Sequence, residues 1–136
     1  MERVTEITVF LENHPGSLGR IAGSLGEHGI NIQGFTLTNA LDHGALRMVV
    51  DQPSAAVHLF GEHNLLTLEN DVIRLQLANE AGGLSALGSA LSRAEINVEY
   101  AYGSAGPNSG QPSTLFLRVS DVEAACRVLG ELPGVE

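Results

Sequence analysis

The sequence predicts an α+β protein made of two tandem βαββαβ units, each an antiparallel sheet with its helices on one face. Three observations point there. The chain repeats itself at a shift of 66 residues, which lays Asn13 on Asn79. Apolar residues recur with a period of two in some segments and of three to four in others. Turn-forming residues stand where the period changes.

The repeat comes first, because missing it would misread the fold. The shift places Asn13-His-Pro-Gly-Ser-Leu18 over Asn79-Glu-Ala-Gly-Gly-Leu84, and Ile30-Asn31-Ile32 over Ile96-Asn97-Val98. Ile7, Val9 and Leu11 fall on Ile73, Leu75 and Leu77. Later the shift grows to 69, so that Val50, Ala56 and Gly61 meet Val119, Ala125 and Gly130. The extra residues fall in the turn-rich run from Gly103 to Pro112. Residues 1–70 and 71–136 are therefore expected to form two units. Each has fewer than about 70 residues and buries little apolar surface alone.

Each element follows from its period. Alternating Ile7, Val9 and Leu11 predict a first strand. Leu18, Ile21, Ala22 and Leu25 mark one face of a helix, and Leu84, Leu87, Gly88 and Leu91 repeat it. Ile30 and Ile32, then Phe35 and Leu37, predict a second strand whose phase changes at Gly34 through a bulge. After an Asp42-His43-Gly44 turn, Leu46, Met48 and Val50 alternate again. Ala56, Leu59 and Phe60 mark a second helix. Leu66 and Leu68 predict a fourth strand that runs without a linker into the first strand of the second copy. Its buried face is expected to move from even to odd positions near Asn70-Asp71. The second copy ends at Val135-Glu136, which align with Leu66-Thr67, so its last strand is barely begun. Either a partner completes that edge or it stays open.

Composition narrows the function. Sixteen acidic residues against seven basic ones give a net charge of −9, which lacks the clustered cations that nucleic acids require. Aromatic residues make up 4% with no Trp, so the core is aliphatic and the predicted central strands carry no base-stacking platform. Cys126 is the only cysteine, which excludes an intrachain disulfide. It aligns with Val57 and reads as a small, partly buried residue. No run approaches the roughly 18 apolar residues of a membrane span, and the charged N-terminus lacks a signal-peptide core. The expected location is the cytoplasm.

The first strand–helix turn carries the sharpest signal. Val9-Phe-Leu-Glu-Asn-His-Pro-Gly-Ser-Leu-Gly-Arg-Ile-Ala22, followed by His28-Gly-Ile-Asn-Ile32, resembles the opening of an ACT domain, and the pattern occurs twice. The whole chain resembles small stand-alone proteins of two ACT units. The resemblance implies a ferredoxin-like fold with sheet order 4-1-3-2 and units paired side by side or face to face. It also implies an amino-acid ligand at the interface between units, held against the first strand–helix loop and the start of strand two.

The chemistry of that loop points the same way. Gly16 permits a tight turn into the helix, and the N–H groups of Ser17, Leu18 and Gly19 would then face outward, suited to a carboxylate. Gly82, Gly83, Leu84 and Ser85 repeat this in copy two. Asn13 or Asn31, and Asn79 or Asn97, offer carbonyls for an ammonium. His14 and Pro15 complete the first loop; Glu80 and Ala81 replace them in the second, and Glu80 would repel a carboxylate unless it turned toward the ammonium. Plainer roles stand beside these. Asn13 and Asn79 suit helix caps or turns, Asn31 and Asn97 suit backbone pairing at a strand start, and Ser17 suits a local cap. The loop from Gly103 to Pro112 is long enough for a lid.

Other chemistry is not expected. The five histidines (His14, His28, His43, His58 and His63) make no recognisable metal set. There is no phosphate loop. An acylphosphatase-type site would need an Arg in the first turn, but Arg20 lies one helical turn in and Ala86 is its counterpart. The expectation is a protein that is not an enzyme and carries no cofactor. It would be a homodimer that binds a free amino acid and regulates a separate partner, such as an amino-acid biosynthetic enzyme or a transporter. The alternative is a structural subunit that assembles an enzyme complex without a small ligand.

Overall fold

The computed structural model describes residues 1–108 and 110–136. In chain order its elements are β1 (Glu2–Glu12), α1 (Ser17–Glu27), β2 (Ile32–Ala40), β3 (His43–Val50), α2 (Pro53–Glu62), β4 (Thr67–Leu77), α3 (Gly83–Arg93), β5 (Val98–Ser104), β6 (Ser113–Val119) and α4 (Val122–Gly130). They fall into two compact units, Thr5–Asn70 and Asp71–Glu136, the latter joined by Met1–Val4. No helix among the described residues is long and apolar enough to cross a membrane.

In the unit Thr5–Asn70, β3 pairs antiparallel with β1, setting Ile7 opposite Met48 and Val9 opposite Leu46. On its other side β3 pairs antiparallel with β2, with Leu37 opposite Leu46. The Leu66 carbonyl accepts from Phe10 N–H at 3.3 Å, so the fourth strand starts beside β1 and the order is 4-1-3-2. Ile7, Val9, Leu11, Leu46, Met48 and Val50 share one core with Ile21 and Leu25 of α1 and Ala56, Leu59 and Phe60 of α2. Alternate strand residues point to one face, so both helices cover that face. α2 opens on Pro53, whose fixed φ and missing N–H suit the first helical turn.

The other unit repeats the plan. β6 lies between β4 and β5, antiparallel to both, and Ile73, Leu75, Leu77, Leu117 and Val119 pack with Leu87, Leu91, Ala125 and Leu129. Val135 bridges Leu77, and Glu136 N–H donates to Gln76 O at 2.8 Å. Residues of the chain's own start join this unit: Glu2 accepts from Arg74, and Arg3 pairs with Asp71. The hydrogen bond and charge of Asp71 hold the Arg3 guanidinium above its ordinary pKa.

Two sequence expectations change. Leu66 and Leu68 are 66% and 51% exposed, and Leu65 packs on the core instead. Leu65 thus faces inward where Leu66 and Leu68 were expected to, so no buried even face precedes Asn70-Asp71, and beyond it Val72, Ile73, Leu75 and Leu77 are buried. Only one of two adjacent strand positions can face the core; leucines at 65, 66 and 68 had left the phase ambiguous. In α1 the inward line is Ser17, Ile21 and Leu25, and in α3 it is Leu87, Ala90 and Leu91. Leu18 and Leu84 are 36% and 63% exposed, because one residue turns a helix by about 100° and each stands one step past Ser17 or Gly83. The irregularity in β2 falls between Ile32 and Gly34, as Gly34 foretold, and β5 repeats it between Val98 and Tyr100.

These positions give a direct contrast. Leu25→Ala empties a fully buried site and should cost about 2–5 kcal/mol. Leu66→Ala should stay within about 0.5 kcal/mol. Urea unfolding midpoints of the two variants check both values.

Candidate functional site

At each strand–helix turn the chain must leave a sheet strand and lay a helix back across the same sheet. Gly16 does this at φ 90, ψ −10 and Gly82 at φ 90, ψ −11. This left-handed region is strained for residues with a Cβ. No atom lies within 4 Å of a Cβ built at either glycine, so the requirement is conformational and not steric. Pro15 and Ala81 precede these glycines, yet both loops take the same path. His14 N–H donates to Glu12 O at 3.1 Å and Glu80 N–H to Ala78 O at 3.0 Å.

Neither α1 nor α3 has a side-chain cap or an acidic residue in its first turn. Ser17 N–H reaches His14 O at 3.4 Å and Gly83 N–H reaches Glu80 O at 3.3 Å, which removes Ser17 from the three donors expected. The N–H groups of Leu18 and Gly19, and of Leu84 and Ser85, have no partner among the described residues. Pairs of free N–H groups at a helix N-terminus suit an anionic group.

The asparagines before the glycines do not cap the helices. Asn13 donates from Nδ2 to Leu41 O at 2.7 Å and from its backbone N–H to Asp42 O at 2.8 Å. Asn79 donates from Nδ2 to Gly106 O at 3.0 Å and Asn108 O at 3.1 Å. Each ties the tip of the neighbouring hairpin to its loop. The Oδ1 of each has no partner among the described residues and can accept from a cation. In the loop from Gly103 to Pro112, residue 109 lies outside the described residues. At the first hairpin tip His43 lies 2.9 Å from Asp42. That hydrogen bond, then the backbone and the histidine's charge, hold the Asp42 carboxyl below its usual range.

Each loop borders a cavity. The first, about 140 Å³, is lined by Asn13, His14, Gly16, Ser17 and Leu18 together with Leu11, Glu12, Gly19, Leu37 and Asn39. The second, about 400 Å³, is lined by Asn79 and Glu80 together with Gln111, Pro112 and Gly134–Glu136. Pro15, Ala81, Gly82, Gly83 and Leu84 belong to the turns but do not line these cavities. Glu12, Leu37 and Asn39 escaped the sequence reading. The signal for Asn39 was available only through strand register, since it stands opposite Gly44, which stands opposite Leu11.

Asn31 and Asn97 sit elsewhere. Asn31 N–H donates to Asp51 Oδ1 at 2.9 Å and Asn97 N–H to Ser120 Oγ at 3.0 Å. Both lie just beyond the C-terminal end of an 11-residue helix whose N-terminus carries the glycine turn, a separation of about 16 Å. Within one unit, the loop and the start of strand two are not brought together. The side chains of Asn31 and Asn97 are exposed and have no partner among the described residues.

The first loop also holds a row of groups that the sequence reading did not identify. His14 Nε2 lies 2.9 Å from Glu12 Oε2, and Nδ1 lies 3.1 Å from Ser17 Oγ. Carboxylate, imidazole and hydroxyl in sequence are ingredients of nucleophilic catalysis. Here Pro15 O stands 3.0 Å from the same Nδ1, and a carbonyl there calls for a proton on the nitrogen that a general base would need bare. The row ties the strand end to the helix start. Copy two has Ala78, Glu80 and Gly83 at these places. Among the described residues no three His, Cys, Asp or Glu side chains gather as a metal site.

A family model described as an ACT domain pair matches residues 2–131. No curated protein matches the chain. Among solved structures it is similar to protein BT0572 from Bacteroides thetaiotaomicron, at 25% identity over 95% of this chain and 88% of that one, with a TM-score of 0.88. It is also similar to the ligand-free regulatory subunit of aspartate kinase from Thermus thermophilus, at 14% identity over 96% and 97% of the two chains and a TM-score of 0.69. The regulatory subunit of aspartate kinase from Thermus flavus gives 14% identity, 94% and 90% coverage and a TM-score of 0.62.

The turn geometry predicts matched costs. Gly16→Ala and Gly82→Ala should each destabilise the chain by about 1–2 kcal/mol through backbone strain alone, seen as similar losses in urea midpoint. A loss at one site only would show that the two loops do not share this constraint.

Proposed function

We propose, since the chain belongs to the family of ACT domain pairs, that it is a non-catalytic sensor of a free amino acid and acts on a separate partner. The observation that carries this reading is the doubled loop. In one short stretch it offers two unpaired N–H groups at a helix N-terminus and, beside them, an asparagine Oδ1 left to accept. A zwitterion needs both: donors for its carboxylate and an acceptor for its ammonium. The same fold in aspartate kinase regulatory subunits spans nearly their whole length, which suits a regulatory chain whose catalytic partner is a separate polypeptide, such as an amino-acid biosynthetic enzyme.

The sensor works as a homodimer. Asn31 and Asn97, remote from the loop of their own unit, contribute to the ligand site across the pairing with a second chain. β2 is the edge strand of its unit and its sequence, IQGFTLTNA, carries no charge. Phe35 projects from it 54% exposed. Two chains of charge −9 repel, and a neutral open edge is where they meet at least cost. Ligand binding regulates the partner only by favouring one arrangement of the paired units over another.

Thermal shift against the twenty standard amino acids, followed by calorimetry, tests the sensor. A ligand at 100 times its dissociation constant should add about 2.7 kcal/mol, on the order of 5 °C in Tm. The shift should vanish in Asn13→Ala or Asn79→Ala while the unliganded Tm falls by no more than a few degrees. No shift with any amino acid would move the reading to an assembly subunit without a ligand. Separately, Phe35→Glu should turn a sedimenting dimer into monomer; an unchanged dimer would place the pairing on another surface.

A further inference from the structure

A cavity of about 600 Å³ opens on the other side of Gly19 from the first loop. It runs between α1 and the C-terminal end of α2 in the unit Thr5–Asn70. Its floor is buried Ile21 and Phe60 with half-buried Leu65. Its α1 wall is low, because Gly19 and Gly23 stand there and no atom lies within 4 Å of a Cβ built on either. Arg20 and His63 flank it, and neither has an acidic partner among the described residues. In a chain with 16 acidic and 7 basic residues, an arginine without an acidic partner beside an apolar trough is a specific provision. Volumes of this order are those of small-molecule sites.

The duplication supplies an internal comparison. By the alignment, Gly19, Arg20 and Gly23 correspond to Ser85, Ala86 and Ser89, and His63 corresponds to Leu132. The second unit keeps the fold without these side chains, and Leu132 packs on its core. The scaffold therefore does not require Arg20 or His63. What the first copy adds is positive charge at the edge of an apolar floor.

We infer that this trough is a second ligand site, for an amphipathic monocarboxylic acid. Its hydrocarbon part lies on Ile21, Phe60 and Leu65, and its carboxylate is held by the Arg20 guanidinium, whose planar donors match that group. Glu27, about 10 Å from Arg20 along the helix axis, closes the far end and disfavours a second negative charge. The trough borders the amino-acid loop at Gly19, but its ligand contacts, Arg20, Ile21, Phe60 and Leu65, are not those of the loop, so the assignment stands whether or not that loop binds.

Octanoate is the probe, titrated into the full-length protein by calorimetry, with octylammonium as the charge control. The expected result is one saturable octanoate site per chain with a dissociation constant below about 1 mM, and no octylammonium site. Arg20→Gln should weaken it at least about tenfold, the loss of one charge-assisted contact. Gly23→Leu should abolish it by filling the trough while raising or preserving Tm, since leucine is the better helix former. No saturable octanoate binding, equal binding of octylammonium, or binding that survives Gly23→Leu would each overturn the assignment.

Discussion

The backbone of this chain is committed at two points by the same physical demand. A strand that ends in a sheet must reverse within a few residues for its helix to cover that sheet. At Gly16 and Gly82 the reversal passes through the left-handed region, where a side chain is costly. Everything near the loops follows from that passage. It starts the helix without a side-chain cap, leaves first-turn N–H groups unspent, and sets an asparagine beside a hairpin tip. The residue before the glycine matters less: Pro15 and Ala81 lead into torsions that agree within a degree.

Upon this shared backbone the two copies carry different chemistry. Buried positions match closely, as with Ile7 and Ile73, Leu25 and Leu91, or Ile30 and Ile96. The exposed loop positions do not. The first loop is cross-linked by Glu12, His14 and Ser17 around a small cavity. The second lacks that row, bears Glu80, and borders a cavity more than twice as large. Core packing tolerates little change in volume, whereas exposed positions are free to diverge. Two units of one fold can thus differ in what they recognise.

The strands at the repeat boundary solve a problem of small size. A unit of this length buries little surface alone, and each needs a fourth strand to cover the side of its first. The unit Thr5–Asn70 takes Leu65–Asn70, anchored by the Phe10–Leu66 hydrogen bond. In the other, Gly134–Glu136 pair with Gln76 and Ala78, and Met1–Val4 is held by ion pairs of Glu2 and Arg3. Ion pairs this exposed are screened by solvent, so they fix position more than they add stability.

The sequence by itself determined the duplication, the order of elements and the glycine turns. These depend on local period and on conformations that only certain residues adopt, so they are written along the chain. Asn13, His14, Gly16, Ser17 and Leu18 were legible as one loop because they are neighbours in sequence. Only the tertiary structure decided which leucines of Leu65, Leu66 and Leu68 face inward, because a run of apolar residues fits either phase until a core is present. Only it brought Leu37 and Asn39 to the loop, through pairing of β2 with β3, and separated Asn31 from Gly16 by the length of a helix. The trough beside Arg20 was equally hidden: its floor is Phe60, forty residues away, and such proximity is set by packing and not by spacing.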